Sequence, residues 1–149
     1  MIVEITRRGA GRIYPTGELR KVATVLLTKL EQRRAELSIA LVGDAEMRPL
    51  NAKYRKQRKT TDVLSFAVDD RPSAGSNLLG DVIISVEQAR RQAKERNHTL
   101  RREMITLLIH GILHLLGYNH ERSARQAKIM FGIERELAAH LCERGLLKV

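Results

Sequence analysis

The sequence has 149 residues, of which 43% are hydrophobic and 30% are charged, a composition that is typical of one soluble globular domain and excludes a low-complexity chain. Its 27 Lys and Arg outnumber its 17 Asp and Glu and give a net charge of +10, which predicts attraction to polyanions, meaning nucleic acid or an anionic membrane surface. A single cysteine excludes an internal disulfide, and the lack of a signal-peptide core or a long apolar run predicts a cytoplasmic protein with no membrane span.

The first half of the chain contains two predicted strands and two predicted helices. Residues 2–6 alternate apolar and polar side chains, as in a half-buried strand. Over residues 16–30, apolar side chains recur at helical spacing, and Thr16 is the predicted N-cap. A second strand is expected over 38–42, and a helix over 44–54 whose first aspartate can serve as its cap.

The second half continues this alternation. A strand over 62–68 is followed by a polar loop over 69–77, and a further strand is expected over 80–86. Three helices are then predicted over 87–96, 99–116 and 123–142. Because strands and helices are interleaved, the sequence predicts an α+β fold in a single small domain, residues 1–149, with a mixed sheet of roughly four strands packed by helices.

Three of the five histidines lie within eleven residues, in the segment His110-Gly-Ile-Leu-His114-Leu-Leu-Gly-Tyr-Asn-His120. Residues four apart share one face of a helix, so His110 and His114 can bind the same metal ion. His120 would point about 120° away from His114 on a straight helix, but Gly117 can end the helix in the left-handed conformation and let His120 return as a third ligand. Three neutral imidazoles and one open position are typical of a catalytic zinc site. We therefore expect one zinc ion per chain, bound by the central helix and the turn after it.

Two other interpretations of the histidines exist. Partly buried histidines are often hydrogen-bonded without a metal, and this is how we interpret His98 and His140. The His-x3-His spacing also occurs in zinc proteases, which place a glutamate directly after the first histidine as the general base. Gly111 occupies that position here, so peptide hydrolysis is disfavoured.

A basic segment, Lys-Tyr-Arg-Lys-Gln-Arg-Lys at residues 53–59, holds five cations. It predicts a phosphate-binding edge, although a solvated helix end explains the charges equally well. Arg55 is the strongest candidate, because a guanidinium can bind a phosphate through two hydrogen bonds and stabilise charge that develops on it.

Together with the histidine motif, the segments Leu50-Asn-x2-Tyr-Arg55, Thr61-Asp-Val-Leu-Ser-Phe66 and Leu79-Gly-Asp81 resemble the YbeY family of bacterial rRNA maturation factors. The resemblance extends from about Leu50 to Glu134. It implies a zinc-dependent, single-strand-specific endoribonuclease that acts in rRNA maturation, including small-subunit rRNA 3′-end processing, and in ribosome quality control. The implied partners are single-stranded RNA, ribosomal RNA, and the ribosome or its proteins.

The resemblance also assigns roles to single residues. It maps the metal ligands to His110, His114 and His120, and it makes Arg55 and His114 the expected catalytic residues. The expected RNA-binding cations are Lys53, Arg55, Lys56, Arg58 and Lys59. Three further residues of the matching motifs are interpreted as turn or scaffold residues that hold the cleft: Asp62, Ser65 and Asp81.

One position departs from the family pattern, whose last block usually reads Gly-Tyr-Asp-His. Asn119 stands in place of the aspartate; it can accept a hydrogen bond but adds no negative charge near the metal, so metal affinity can differ from the family norm. The chain has only five aromatic residues, so RNA binding is expected to be mainly electrostatic, and Tyr54 and Tyr118 are more readily explained by packing than by base stacking.

A second hypothesis comes from a different functional class. The chain can be a non-catalytic ribosome assembly factor whose metal braces the fold and whose basic face docks on rRNA or a ribosomal protein. The missing base next to His110 favours this alternative, and the open coordination position argues against it. The sequence leaves the native metal and the oligomeric state open.

Overall fold

Four strands form one mixed sheet in the order β1-β2-β4-β3 in a computed structural model that describes residues 1–68 and 77–148. The strands are β1 (Ile2–Arg7), β2 (Glu36–Val42), β3 (Val63–Ala67) and β4 (Leu78–Ser85). The helices are α1 (Gly17–Lys29), α2 (Asp44–Arg55), α3 (Val86–Glu95), α4 (Leu100–Leu115) and α5 (Ala124–Glu143), and a 3-10 helix covers Gly9–Ile13.

The expected α+β fold with a four-stranded mixed sheet is confirmed. β1 and β2 pair in parallel, as do β2 and β4, whereas β3 runs antiparallel to β4. Helical crossovers join the parallel strands, as parallel pairing requires. The 3-10 helix was not expected from the sequence, and residues 69–76 of the predicted polar loop lie outside the described residues.

The two faces of the sheet are covered by different helices. Ile39 and Val82, which pair in register, lie on the face that packs against α1, α3, α4 and α5. Val42 and Met47 belong to a smaller apolar cluster between the opposite face and α2. Alternate strand residues therefore point into two separate apolar layers, as the period of two requires.

Helix α4 is buried along most of its length. Its fully buried side chains include Met104, Leu108, Ile112 and Leu113, and it contacts β3, β4, α1, α3 and α5. A helix that is apolar nearly all round is stabilised by such burial rather than by one amphipathic face. Its last two turns carry the two histidines of the His-x3-His pair, so the sheet and the other helices fix their position. No helix of the described part of the chain is long and apolar enough to cross a membrane.

The prediction that Asp44 caps α2 is wrong. Gly43 is the N-cap, and its backbone N–H donates to Glu46 Oε1 at 2.8 Å. The Asp44 carboxylate instead accepts hydrogen bonds from Arg91, Thr60 and Ser85 at 2.7 to 3.0 Å. Three hydrogen bonds from side chains elsewhere in the fold stabilise this carboxylate more than a single bond from an unpaired N–H at the start of the helix would. Thr16 does precede α1, but its side chain makes no capping hydrogen bond.

Candidate functional site

The last two turns of α4 present two imidazoles on one face, as their spacing predicts. His110 Nε2 and His114 Nε2 lie 3.0 Å apart, and the ring centroids are 4.6 Å apart. Two nitrogens bound tetrahedrally to one zinc ion at the usual Zn–N distance are about 3.3 Å apart. The pair is therefore spaced to share a metal ion with little movement.

A tight turn brings the third histidine back. Gly117 has a φ of +97°, its N–H donates to the His114 carbonyl at 3.0 Å, and the Tyr118 N–H donates to the Leu113 carbonyl at 3.1 Å. This pair of bonds is the Schellman ending, which glycine adopts without steric cost. The His120 ring centroid consequently lies 5.0 Å from that of His110 and 5.5 Å from that of His114.

The three imidazoles meet the requirements of a metal site. Each offers a nitrogen that lies within 4.8 Å of the other two. Burial lowers the pKa of His114 below its usual 6.5, and the charges of His110 and His120 lower it further, which favours the neutral form that binds metals. Within the described residues, His120 Nδ1 is buried and has no hydrogen-bond partner. A buried ring nitrogen without a partner is unusual in a folded protein and fits a site that holds a cation.

Gly111, between the first two histidines, faces the sheet. A Cβ atom there would lie 2.6 Å from Val82 Cγ1 and 3.2 Å from Ser65 Oγ, and the Ser65 hydroxyl donates to the Gly111 carbonyl at 3.1 Å. Any side chain at this position would enter the packed layer between α4 and β4 rather than the cleft. The glutamate of the zinc proteases therefore has no room here, which agrees with the expectation that peptide hydrolysis is disfavoured.

The imidazoles open into a cleft of about 800 Å³. Its walls are the C-terminal end of α2 with the loop after it, strand β3, and the turn that follows α4. Arg55 lines the cleft on the side of α2, and Glu121 lines it beside His120. Arg55 Nη2 lies 3.9 Å from Glu121 Oε1, and both side chains are about half exposed or more. The candidate arginine and the histidines thus face the same open space.

Only some of the cations in the basic segment line this cleft. Arg55 and Lys59 line it, whereas Lys53, Lys56 and Arg58 are exposed outside its lining. Lys53 Nζ instead lies 5.2 Å from the ring centroid of Tyr54, a distance at which a cation and an aromatic ring attract each other. Two of the five expected RNA-binding cations are therefore brought to the histidines.

The comparison with known proteins gives the family. The model of the family described as endoribonuclease YbeY matches residues 12–142. The chain belongs to the YbeY family. Curated relatives named endoribonuclease YbeY include one from Syntrophotalea carbinolica, 39% identical over 148 residues that cover 97% of this chain and 99% of the relative. Another, from Persephonella marina, is 45% identical over 75% of this chain and 74% of the relative.

Two further comparisons bear on length and fold. A YbeY relative from Myxococcus xanthus is 49% identical over 84% of this chain, but the match spans only 42% of that relative's length. A Thermotoga maritima protein of known solution structure superimposes with a TM-score of 0.62 over 99% of this chain and 97% of the other, at 24% identity. The structural likeness supports the α+β fold, and the sequence matches carry the YbeY assignment.

The residues interpreted as scaffold in the YbeY motifs behave differently from one another. Asp62 lines the cleft; its Oδ1 accepts from the Val63 N–H at 2.7 Å, and its Oδ2 accepts from Gln92 Nε2 at 3.2 Å. Ser65 lines the cleft and holds α4 through Gly111. Asp81 lies exposed on β4, opposite Phe66, and is outside the cleft lining.

Asn119, where the YbeY pattern has aspartate, has a defined contact. Its Oδ1 accepts from the Glu121 N–H at 2.9 Å, a local turn that asparagine and aspartate make equally well.

Tyr118 packs against the main core, as expected. Tyr54 lines the cleft, and its side chain is exposed while its ring centroid is 4.6 Å from that of Phe66. His98 is a structural histidine, as expected: Nε2 lies 2.6 Å from Oε1 of the fully buried Glu103.

Three residues of the site were missed in the sequence. Glu121 borders the cleft, the buried Asn51 holds the basic loop by donating to the Lys59 carbonyl at 2.8 Å, and Glu134 of α5 contacts His110. Two of them had a usable signal in the sequence. Asn51 stands in the motif Leu50-Asn-x2-Tyr-Arg55, and Glu134 lies among the apolar positions Ile133 and Leu137 of an amphipathic helix.

Proposed function

We propose that the chain is a zinc-dependent endoribonuclease that cuts single-stranded RNA and acts in rRNA maturation, including small-subunit rRNA 3′-end processing, and in ribosome quality control. The observation that carries the proposal is the convergence of three imidazoles and Arg55 on one cleft. The whole chain acts as one endoribonuclease domain in the cytoplasm, with ribosomal RNA and the ribosome or its proteins as partners.

His110, His114 and His120 are the residues that would hold the metal ion. When bound, a zinc ion supplies a Lewis acid for a phosphoryl oxygen and lowers the pKa of a water ligand. Burial lowers the pKa of His114, which favours the unprotonated imidazole that can act as a ligand. The chemistry of the donor set supports zinc over magnesium or calcium, which prefer oxygen ligands.

Arg55 binds and orients the scissile phosphate. Its guanidinium can donate two parallel hydrogen bonds to phosphate oxygens and offsets the negative charge that develops on them. Its contact with Glu121 at 3.9 Å is loose and exposed, so a phosphate can replace the carboxylate at little cost. Lys59 adds a second cation to the same wall of the cleft.

The cleft is matched to a flexible strand rather than to a duplex read by its grooves. It offers the exposed Tyr54 ring, on which one unpaired base can stack, beside the cations that contact the backbone. An unpaired strand can place its phosphate at Arg55 while its base lies on Tyr54. A continuous RNA duplex, in contrast, holds its bases stacked inside the double helix, where they cannot lie on the Tyr54 ring.

The experiment is cleavage of a single-stranded fragment of ribosomal RNA by zinc-loaded protein. His114→Ala and Arg55→Ala, each checked for folding, are expected to lose cleavage. Lys21→Ala is the matched control, because Lys21 is an exposed cation of α1 outside the cleft lining, and this variant should cleave as the wild-type protein does. Equal residual cleavage in every variant would indicate a contaminating ribonuclease and contradict the proposal.

Two readouts extend this test. A 2′,3′-cyclic phosphate at the product end would show attack by the ribose 2′-hydroxyl, whereas a linear phosphate would show attack by water. Tight RNA binding without cleavage, combined with unfolding when the metal is removed, would favour the non-catalytic assembly factor with a structural metal. Under our proposal metal removal abolishes cleavage and leaves the protein folded.

A further inference from the structure

Helix α5 brings a carboxylate to the far side of the first histidine. Glu134 Oε2 lies 3.5 Å from His110 Nδ1, and the two side chains are 20% and 26% exposed. The other ring nitrogen of His110, Nε2, faces His114. The imidazole is therefore placed between a carboxylate on one side and the histidine cluster on the other.

The carboxylate itself is poorly satisfied. Within residues 1–68 and 77–148, Glu134 Oε1 is buried and has no hydrogen-bond partner, and the ion pairs of Glu134 involve only His110. Leaving a carboxylate oxygen buried and unpaired costs free energy. On the same helix, Leu137 belongs to the main hydrophobic core and Ile133 packs against it. Packing alone therefore does not explain a charged side chain at residue 134.

An imidazole that binds a metal through one nitrogen carries a proton on the other. A carboxylate that accepts this N–H fixes the tautomer and the ring orientation, and it makes the metal-binding nitrogen a better donor. The same contact also offsets the positive charge of the metal. Glu134 lies on this side of His110, with Oε2 3.5 Å from Nδ1, and a small side-chain movement would bring the two atoms to hydrogen-bond distance.

We propose that Glu134 is a positioning residue, which accepts the Nδ1–H of His110 and holds Nε2 toward the metal. This inference rests on the proposed function, since it assumes that the three imidazoles bind a metal ion. Glu134 belongs to α5, a helix that contributes none of the three histidines. Metal affinity should therefore depend on the packing of α5 against α4.

The test measures binding of Zn²⁺ against a competing chelator, and the visible absorption of bound Co²⁺, without RNA. Glu134→Ala is expected to weaken Zn²⁺ binding about ten- to hundredfold. Glu134→Gln is expected to lose less, because its amide oxygen still accepts a hydrogen bond. Glu136→Gln is the matched control: Glu136 is an exposed residue of the same helix and should bind both ions as the wild-type protein does.

The outcomes separate this inference from the proposed function. Wild-type affinity and an unchanged Co²⁺ spectrum in both folded Glu134 variants would overturn the role of Glu134 and leave the metal site standing. A loss of stability in these variants without any loss of ion affinity would also overturn it, because that result describes a structural residue. If the wild-type protein bound neither ion, the metal site and this inference would fail together.

Discussion

The Ser65 hydroxyl donates a hydrogen bond to the Gly111 carbonyl at 3.1 Å, so β3 is joined to α4 between the first two histidines. The contact requires a glycine on the helix, because a Cβ at residue 111 would lie 2.6 Å from Val82 Cγ1. Val82 is fully buried and cannot move aside. The separation of α4 from the sheet, and with it the position of the histidine pair, therefore depends on Gly111.

Gly111→Ala is expected to destabilise the protein by up to about 2 kcal/mol. Overpacking of a core costs about 1–3 kcal/mol, and the better helix propensity of alanine, worth about 1 kcal/mol, offsets part of it. Urea unfolding measures the change. Gly132→Ala is the control, because a Cβ at this helical glycine meets no atom within 4 Å, and it should be neutral or stabilising. A cost that did not shrink in a Val82→Ala background would contradict the steric explanation.

Glu121→Gln is expected to tighten the binding of single-stranded RNA about two- to fivefold. An exposed ion pair is worth about 0.2–1 kcal/mol, and the phosphate no longer competes with the carboxylate for Arg55. Binding of a non-cleavable RNA analogue by metal-free protein measures the change. The gain should vanish when Arg55→Ala is combined with Glu121→Gln. A gain of the same size in both backgrounds would show that Glu121 does not act through Arg55.

Asn51→Ala is expected to reduce both stability and RNA affinity. The Asn51 side chain is almost fully buried and donates to the Lys59 carbonyl, so its removal costs about 1–3 kcal/mol and frees the loop that carries Lys59. Lys59→Ala is the matched variant and should reduce affinity alone. Unfolding and RNA titration of the two proteins distinguish the roles. Unchanged RNA affinity in Asn51→Ala would show that the loop is positioned by other contacts.

Asp44 is expected to make stability depend on pH. Burial would raise its pKa, but hydrogen bonds from Arg91, Thr60 and Ser85 outweigh that effect and hold the pKa below 3.8. A carboxyl with a lowered pKa in the folded state stabilises the protein above its unfolded pKa, and this contribution is lost as the pH falls through the folded pKa. Asp44→Ala should therefore cost about 1–3 kcal/mol at pH 7 and progressively less below pH 3.8. An equal cost at pH 7 and pH 3 would contradict this account.

RNA affinity is expected to fall steeply with salt. Each backbone phosphate that a cation neutralises contributes about −0.7 to the slope of log K against log salt for a single strand. Arg55→Ala should reduce the magnitude of the slope by about 0.7, whereas Glu143→Gln, an exposed change at the end of α5, should leave it unchanged. Titrations at several salt concentrations give the slope. If the RNA affinity of the wild-type protein did not change with salt concentration, electrostatic contacts would not contribute to binding at the proposed RNA site.

Local patterns allowed the sequence to predict much of the fold. The first strand was found from the alternation over residues 2–6, and the helices from apolar spacing, because both periods are set by backbone geometry alone. The meeting of His110, His114 and His120 was also predictable. Four residues make about one helical turn, and Gly117 allows the chain to return within three residues.

Contacts between distant parts of the chain were decided only by the tertiary structure. Local patterns do not indicate that Asp44 accepts from donors of β4 and α3, or that Glu134 faces His110, since these partners are separated by more than twenty residues. Such patterns also could not divide the basic segment into the cations that line the cleft and those outside it. Periodicity and turn chemistry act over a few residues, whereas the surroundings of a charged side chain are set by which helices and strands pack around it.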